Sequence, residues 1–477
     1  MISYDAYDAL IIREKTKIFS CIIQNLIVTL QGNMKTRLYN AKILSMKEGQ
    51  DIFDGEIIIE DGEIVKVWNK EEGNKEESFV PSTFLRSSWC SGEQARSNQI
   101  DCQGNLLMPG FKNAHAHSGM SGMRSLADDK PLDRWLNEDI FPVEAKLTGE
   151  DIYWMSQLSV LEYLTSGITA CFDMYMEQEW VAKAMDDMGF RCVQTGGVND
   201  FSKDVRWIDY MYNKYNVPGA LQSYQLGFHA EYTTNMDNLR KIADVVKKNK
   251  APLYVHANET EAEVKGCVER YGKTPLAFLD SLGMFDYGGG IYHAVWMSEA
   301  DYEVMKRRGL YAITNPGSNT KLASGIAPIS EFLKRGITVA IGTDGPASNN
   351  CLDMFREMFL VTGLAKLREK DAAAIDAREV LKMATVNGAK AMHLDDCDVL
   401  AEGKRADIVM IDLNQPNMQP INNIEKNIVY SGSKQNVKMT MVNGKILYMD
   451  GKFNVGVEPG TVFDKVKSIK DKVIIKK

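Results

Sequence analysis

Histidine is scarce in this chain, with six among 477 residues. A basic excess is missing. The formal net charge is −8, so there is no reserve of cations to displace counterions from a nucleic-acid backbone, and no nucleic-acid partner is expected. The eight cysteines, at 21, 90, 102, 171, 192, 267, 351 and 397, include no Cys-x-x-Cys pair. In a chain this large, that argues against a disulfide framework and for reduced thiols in the cytoplasm. Long hydrophobic runs are absent too. Ile18 to Leu30 is mostly apolar, but Gln24 and Asn25 interrupt it and no small-x-small cleavage site follows. It is too short to span a bilayer, so no membrane partner is expected. Residues 1–33 read as an extension of unclear role ahead of Met34.

What is present is a soluble globular composition, 44% hydrophobic and 25% charged. The length fits a barrel plus a smaller domain. Residues 34–68 alternate apolar and polar, and Asp61-Gly62 marks a hairpin. Lys70 to Asn98 is polar and reads as a surface insertion. From residue 105 the pattern becomes strand, loop, helix, repeated. Strands are expected at 105–109, 168–173, 191–195, 221–228, 252–256, 290–293, 309–314 and 337–342. Helical apolar periodicity fills the gaps, for example Asp151 to Thr165 and Glu299 to Arg308. Eight strands each followed by a helix predict an α/β fold, a (β/α)8 TIM-type barrel over 105–394. A doubly wound sheet ranks below it, because no Gly-rich dinucleotide loop follows the first strand. Residues 34–104 and 395–477, both β-rich, are expected to combine into one small β-sandwich domain.

The scarce histidines are not scattered. His115 and His117 follow the first predicted strand, His229 the fourth, His256 the fifth and His293 the sixth. Glu259 stands three residues after His256, and Asp344 follows the last strand. In a (β/α)8 barrel all these positions open onto one face. His115 and His117, one residue apart on extended chain, point the same way. Zinc wants about three protein ligands and an open position, so His115, His117, His256 and Asp344 are the metal candidates. Such an ion lowers the pKa of a coordinated water towards about 7. Asp344 can accept that water's proton, Glu259 can deliver a proton to the substrate, and His293 can orient the nucleophile or stabilise the addition intermediate. His229 is placed as a substrate contact, against the alternative of a hydrogen-bonded structural histidine. Trp135 invites a stacking role, although an aromatic beside Leu136 is more often core. Met120, Met123 and Met354 are as consistent with pocket lining as with packing.

The chain resembles the amidohydrolase superfamily and, within it, the 5′-methylthioadenosine/S-adenosylhomocysteine deaminases. The resemblance runs from about 37 to 455. It rests on Met108 to His117 (Met-Pro-Gly-Phe-Lys-Asn-Ala-His-Ala-His), Arg124 to Asp129, Trp135-Leu136, Phe141-Pro-Val-Glu144, and His256-Ala-Asn-Glu259. Asn315 to Asn319, Lys321 to Pro328 and Gly342 to Asn350 complete it. It implies that His115, His117, His256 and Asp344 hold the metal and that Glu259 protonates the purine ring nitrogen. It implies further that His293 lies beside the activated water, His229 binds substrate, and Glu144 accepts from the ribose hydroxyls. It implies one divalent metal, zinc before iron(II), and a homo-oligomer. A two-metal site would place a modified lysine where this chain has Gly227-Phe-His229. One departure stands out. Gly196 occupies the place of an arginine that holds the homocysteine carboxylate, which puts S-adenosylhomocysteine in doubt. Arg206 is the candidate for a second carboxylate-binding arginine, its rival reading being a solvated helix charge.

The expected function is metal-dependent hydrolytic deamination of an adenine nucleoside to the inosine analogue plus ammonia. The nearest rival is an aminohydrolase or chlorohydrolase acting on guanine, an oxidised purine, a pterin or a triazine. A non-catalytic relative ranks low, because every candidate ligand and the acid are present.

Overall fold

The computed structural model describes residues 35–71, 97–201 and 204–473. The extension at 1–33 and most of the polar stretch at 70–98 lie outside the described residues. Near the start, β1 (Lys35–Ile43), β2 (Phe53–Glu60) and β3 (Glu63–Asn69) form an antiparallel meander. Asp61-Gly62 makes the predicted hairpin, both residues at positive φ. β4 (Ser97–Asp101) and β5 (Leu106–Pro109) run parallel to β1.

The position of β5 corrects the sequence reading, which made 105–109 the first barrel strand. The strand exists, but it belongs to the other sheet. Every residue of β5 is buried, and such a run looks the same in either sheet. Pro109-Gly110 is the break between the two sheets. The Gly110 amide donates to the Asp407 carbonyl at 3.0 Å, and a Cβ at Gly110 would fall 2.1 Å from the Thr169 side chain. Only glycine lets the two segments approach so closely.

The barrel begins one residue later. Its strands are β6 (Phe111–Ala116), β7 (Ile168–Met174), β8 (Arg191–Thr195) and β9 (Gln222–Ala230), then β10 (Leu253–Ala257), β11 (Gly289–His293), β12 (Tyr311–Thr314) and β13 (Val339–Ile341). They neighbour one another in sequence order, all parallel. The ring closes where Asp344 bridges back to Ala116. Asn113 and Thr343 reinforce that seam with two hydrogen bonds of 2.8 Å. Outer helices occupy the predicted gaps, such as Gly149–Thr165, Met236–Asn249 and Glu299–Arg308. The first of these starts on a capping box, Thr148 with Asp151.

After the barrel, β14 (Ile408–Ile411), β15 (Val437–Val442), β16 (Lys445–Met449) and β17 (Lys452–Phe453) return to the first sheet. The order is β17-β16-β15-β14-β5-β1-β2-β3, with β4 also on β1, so both ends of the chain build one nine-stranded sheet. Arg191 of β8 grips Asp407 with two hydrogen bonds, 2.8 and 3.0 Å, both side chains buried. This pair ties the barrel to that sheet, and removing either partner would strand a buried charge. The final helix, Pro459–Val473, buries Val462, Val466, Ile469 and Val473 and packs on Gly149–Thr165. No helix among the described residues is long and apolar enough to cross a membrane.

Candidate active site

The C-terminal ends of the barrel strands surround a cavity of ≈ 100 Å³. His117, Glu144, His229, His256, Glu259, His293 and Asp344 all line it. The sequence separates these residues by more than two hundred positions; the parallel barrel brings them to one face.

His115 is the penultimate residue of β6 and His117 follows the strand, so both rings face the strand ends. His115 Nε2 lies 3.0 Å from His256 Nε2 and 3.5 Å from Asp344 Oδ1. His117 Nε2 lies 3.1 Å from the same oxygen. Ligand-type atoms of His115, His117 and His256 fall within 4.8 Å of one another, as do those of His115, His293 and Asp344.

The far side of each ring fixes what it presents to this cluster. His117 Nδ1 faces the Met174 carbonyl, and His256 Nδ1 faces the His229 carbonyl at 2.7 Å. A carbonyl only accepts, so each Nδ1 carries the hydrogen and each neutral ring offers a bare Nε2 lone pair inward. Burial drives the His115 imidazole down to about 3 and His256 well below its usual value, which keeps both rings neutral. Burial alone would also lower His117, but Asp344 outweighs it and the net shift is upward. Burial would raise Asp344, yet His115 and His117 hold it well below the usual carboxylate range. Nitrogen lone pairs and one ionised carboxylate converging in a dry site are the donor set of a divalent transition ion. The chemistry fits zinc, with iron(II) as the alternative.

The backbone is shaped for this. Asp344 and His293 leave their strands at φ of 60° and 72°, in the left-handed region that non-glycine residues rarely enter. Residues held this way cluster at functional sites, where surrounding packing offsets the strain.

Glu259 and His293 stand beside the cluster. Their nearest atoms are 3.7 Å apart, and His293 Nε2 is 4.0 Å from Asp344 Oδ2. His293 Nδ1 faces Asn319 Oδ1 at 2.8 Å, while Ser324 Oγ donates to Glu259 at 3.2 Å. Burial, reinforced by the charge of Asp344, raises the Glu259 carboxyl. A carboxyl raised in this way holds its proton to higher pH than a free one, which suits a donor. Glu144 is also buried, which pushes it up to about 7 against the opposing influence of Tyr175 and His117. His229 lines the cavity with Nδ1 at 2.9 Å from Thr233 Oγ1, and burial takes its ring down to about 4.

One predicted contact is not brought to the cavity. The Arg206 side chain is 91% exposed and pairs with Asp204 at 3.0 Å. It opens the helix Arg206–Tyr215, where the flanking acid and water satisfy it more easily than a buried site would. The expectation of a substrate contact there is corrected to a solvated helix charge. Trp135 and Met120 do line the cavity, whereas Met123 and Met354 are buried in the core.

Several contributors were not singled out from the sequence. Glu263 accepts from the amides of Asn258 at 3.0 Å and Glu259 at 2.7 Å. Its signal was legible as a capping box, Thr260 with Glu263. Asn319 lay inside a recognised stretch, but its contact with His293 depends on the fold. Glu357 accepts from the Gly317 amide and from Asn349 Nδ2, both at 2.8 Å, and so joins the helix carrying Asn319 to the loop after Asp344.

Residues 106–447 match the model of the amidohydrolase family. Among characterised relatives, the chain is 40% identical over 357 residues to the 5-methylthioadenosine/S-adenosylhomocysteine deaminase of Caldanaerobacter subterraneus subsp. tengcongensis, covering 73% of this chain and 82% of that one. It is 36% identical over 422 residues to the 5′-deoxyadenosine deaminase of Methanosarcina mazei, covering 86% and 92%. A crystal structure of an adenosine deaminase from Xanthomonas campestris with bound zinc superposes with a TM-score of 0.82 at 27% identity, covering 92% and 98%.

Proposed function

The chain belongs to the amidohydrolase family and, within it, to the 5′-methylthioadenosine/S-adenosylhomocysteine deaminases, and from that premise we propose the roles of its site residues. It is a hydrolase acting on the amidine carbon of an adenine nucleoside, exchanging the amine for oxygen with release of ammonia. The observation that carries the residue assignment is the clustering of His115, His117 and His256, with Asp344 Oδ1 at 3.5 Å from His115 and 3.1 Å from His117 and with Glu259 and His293 beside them.

His115, His117, His256 and Asp344 hold one divalent ion, zinc in preference to iron(II). When bound, that ion supplies Lewis acidity that makes water a nucleophile near neutral pH. The remaining work belongs to the protein. Glu259 donates its proton to the purine ring nitrogen next to the carbon under attack, relieving charge where electrons accumulate. Asp344 receives a proton from the attacking water and passes it to the departing amine, the remaining hydroxyl proton returns to Glu259, and His293, steadied by Asn319, orients the water. Glu144 accepts from the ribose hydroxyls, which sets the purine's distance from Glu259. His229 touches the substrate with its ring and steadies His256 with its carbonyl. The domain division keeps the sequence reading with one shift: the catalytic barrel runs from Phe111 to about residue 394, and β5 joins the flanking β-rich segments of the two ends in the second unit. Family resemblance supports a homo-oligomer. The lack of any Cys-x-x-Cys pair and the free cysteines among the described residues support a cytoplasmic place.

The test is ammonia release from a panel of adenosine derivatives and free bases. The proposal requires steady turnover of 5′-methylthioadenosine, lost on chelation. Turnover of guanine, a pterin or a triazine with none of any nucleoside would favour the rival reading.

A further inference from the structure

Resting on the nucleoside reading above, we propose that this cavity selects adenine nucleosides whose 5′ substituent carries no carboxylate, and takes small apolar groups there. The charges around the cavity carry the inference. Three carboxylates line it, Glu144, Glu259 and Asp344, and among the described residues no lysine or arginine does. An ion held by the histidines and Asp344 places its positive charge at the reacting end, under the purine. The ribose end is left with Glu144.

Three cations among the described residues are engaged elsewhere. Lys321 binds Asp128 at 2.6 Å and the Ala347 carbonyl at 2.8 Å. Arg124 binds Glu162 at 3.2 Å and the Asn350 carbonyl. Arg206 points to solvent. No side chain can be added at Gly196, next to the lining residue Gly197, because a Cβ there would fall 2.1 Å from the Gly227 carbonyl oxygen. The close packing of β8's end on β9 thus excludes a cationic side chain at position 196.

The segment that carries Glu144 supplies apolar surface instead. Leu132, Trp135, Leu136 and Phe141 face the cavity from it, and Met176 faces it from the end of β7. The 5′ carbon is attached directly to the ribose ring that Glu144 holds, and the proposal places its substituent against these walls. A methyl or methylthio group gains from that burial. A carboxylate loses its hydration, finds no cation, and sits near a like charge.

The wild-type enzyme tests this with three substrates: 5′-methylthioadenosine, S-adenosylhomocysteine, and the carboxamide of the latter, which keeps the tail's length and its ammonium and removes only the carboxylate's negative charge. The expected result is a kcat/KM for 5′-methylthioadenosine on the order of 100-fold above that for S-adenosylhomocysteine, the scale of one unpaired buried charge. The carboxamide should recover most of the difference. Equal kcat/KM for the two natural nucleosides overturns the inference while leaving the deaminase reading intact. A carboxamide as slow as the acid also overturns it, because length rather than charge would then be selected against. Ammonia from none of the three overturns the nucleoside reading and this inference with it.

Discussion

Asp344 meets His115 twice: its amide donates to the His115 carbonyl at 3.0 Å, and its Oδ1 stands 3.5 Å from His115 Nε2. The first contact belongs to the closure of the barrel and the second to the metal-ligand cluster. The seam where the last strand meets the first is therefore also where the first and last candidate ligands meet. Strand pairing holds the two backbones in register, so both ligands stand on a rigid element of the fold.

Asp344→Asn tests the ligand role. It keeps the amide contact and the seam, and removes the ionised oxygen. Ammonia release should fall at least about 100-fold and metal affinity on a similar scale, with the melting temperature of the metal-free protein nearly unchanged. Metal analysis and calorimetry read the two effects separately. Unchanged metal affinity would remove Asp344 from the ligand set.

Glu259→Gln separates acid chemistry from binding. Loss of a positioned proton donor costs about 100- to 10,000-fold in kcat. The variant should still bind a divalent ion and the nucleoside product, because Gln fills the same space and accepts from Ser324 as before. Parallel losses of kcat and product affinity would reassign Glu259 to binding.

Glu144 gives the pH dependence its sign. Burial raises its carboxyl to about 7, so below that pH it holds a proton and accepts poorly. KM for nucleosides should therefore fall as pH rises through about 7, and Glu144→Gln should flatten that change. The same variant should weaken nucleosides far more than free bases, which have no ribose diol. Equal losses would detach Glu144 from the ribose.

Glu357 carries a linkage prediction. Burial raises its carboxyl to about 8 in the folded protein, against 4.5 for an ordinary glutamate. The folded state thus keeps a proton that the unfolded chain releases. Its stabilising contribution is fully present below about pH 4.5 and is lost as pH rises through about 8. Glu357→Gln should gain stability relative to the wild type, by up to a few kcal/mol (about 1.4 per pH unit), as denaturation curves move from pH 5 to pH 8.5. A pH-independent difference between the two would count against the raised value.

Much of the site was legible because barrel geometry converts sequence order into spatial order. His256 and Glu259 needed only their strand assignment to be placed on the right face. The same logic could not place Leu106–Pro109, whose two buried faces hide which sheet it joins. Nor could it place Arg206, since spacing puts a charge at a helix start without saying where its long side chain turns. The final helix did show a helical spacing at Val462, Val466, Ile469 and Val473, but it lay beyond the last hairpin in a segment read as β-rich. The contacts of Glu357 and Asn319 link strand ends far apart in sequence, and no local pattern announces them.

Adding zinc stepwise to chelator-stripped protein, while following ammonia release from 5′-methylthioadenosine, tests the central claim most directly. Activity should climb in proportion to bound zinc and level off at one ion per subunit. Full turnover by the stripped protein, or an ion bound without any gain in turnover, would contradict it.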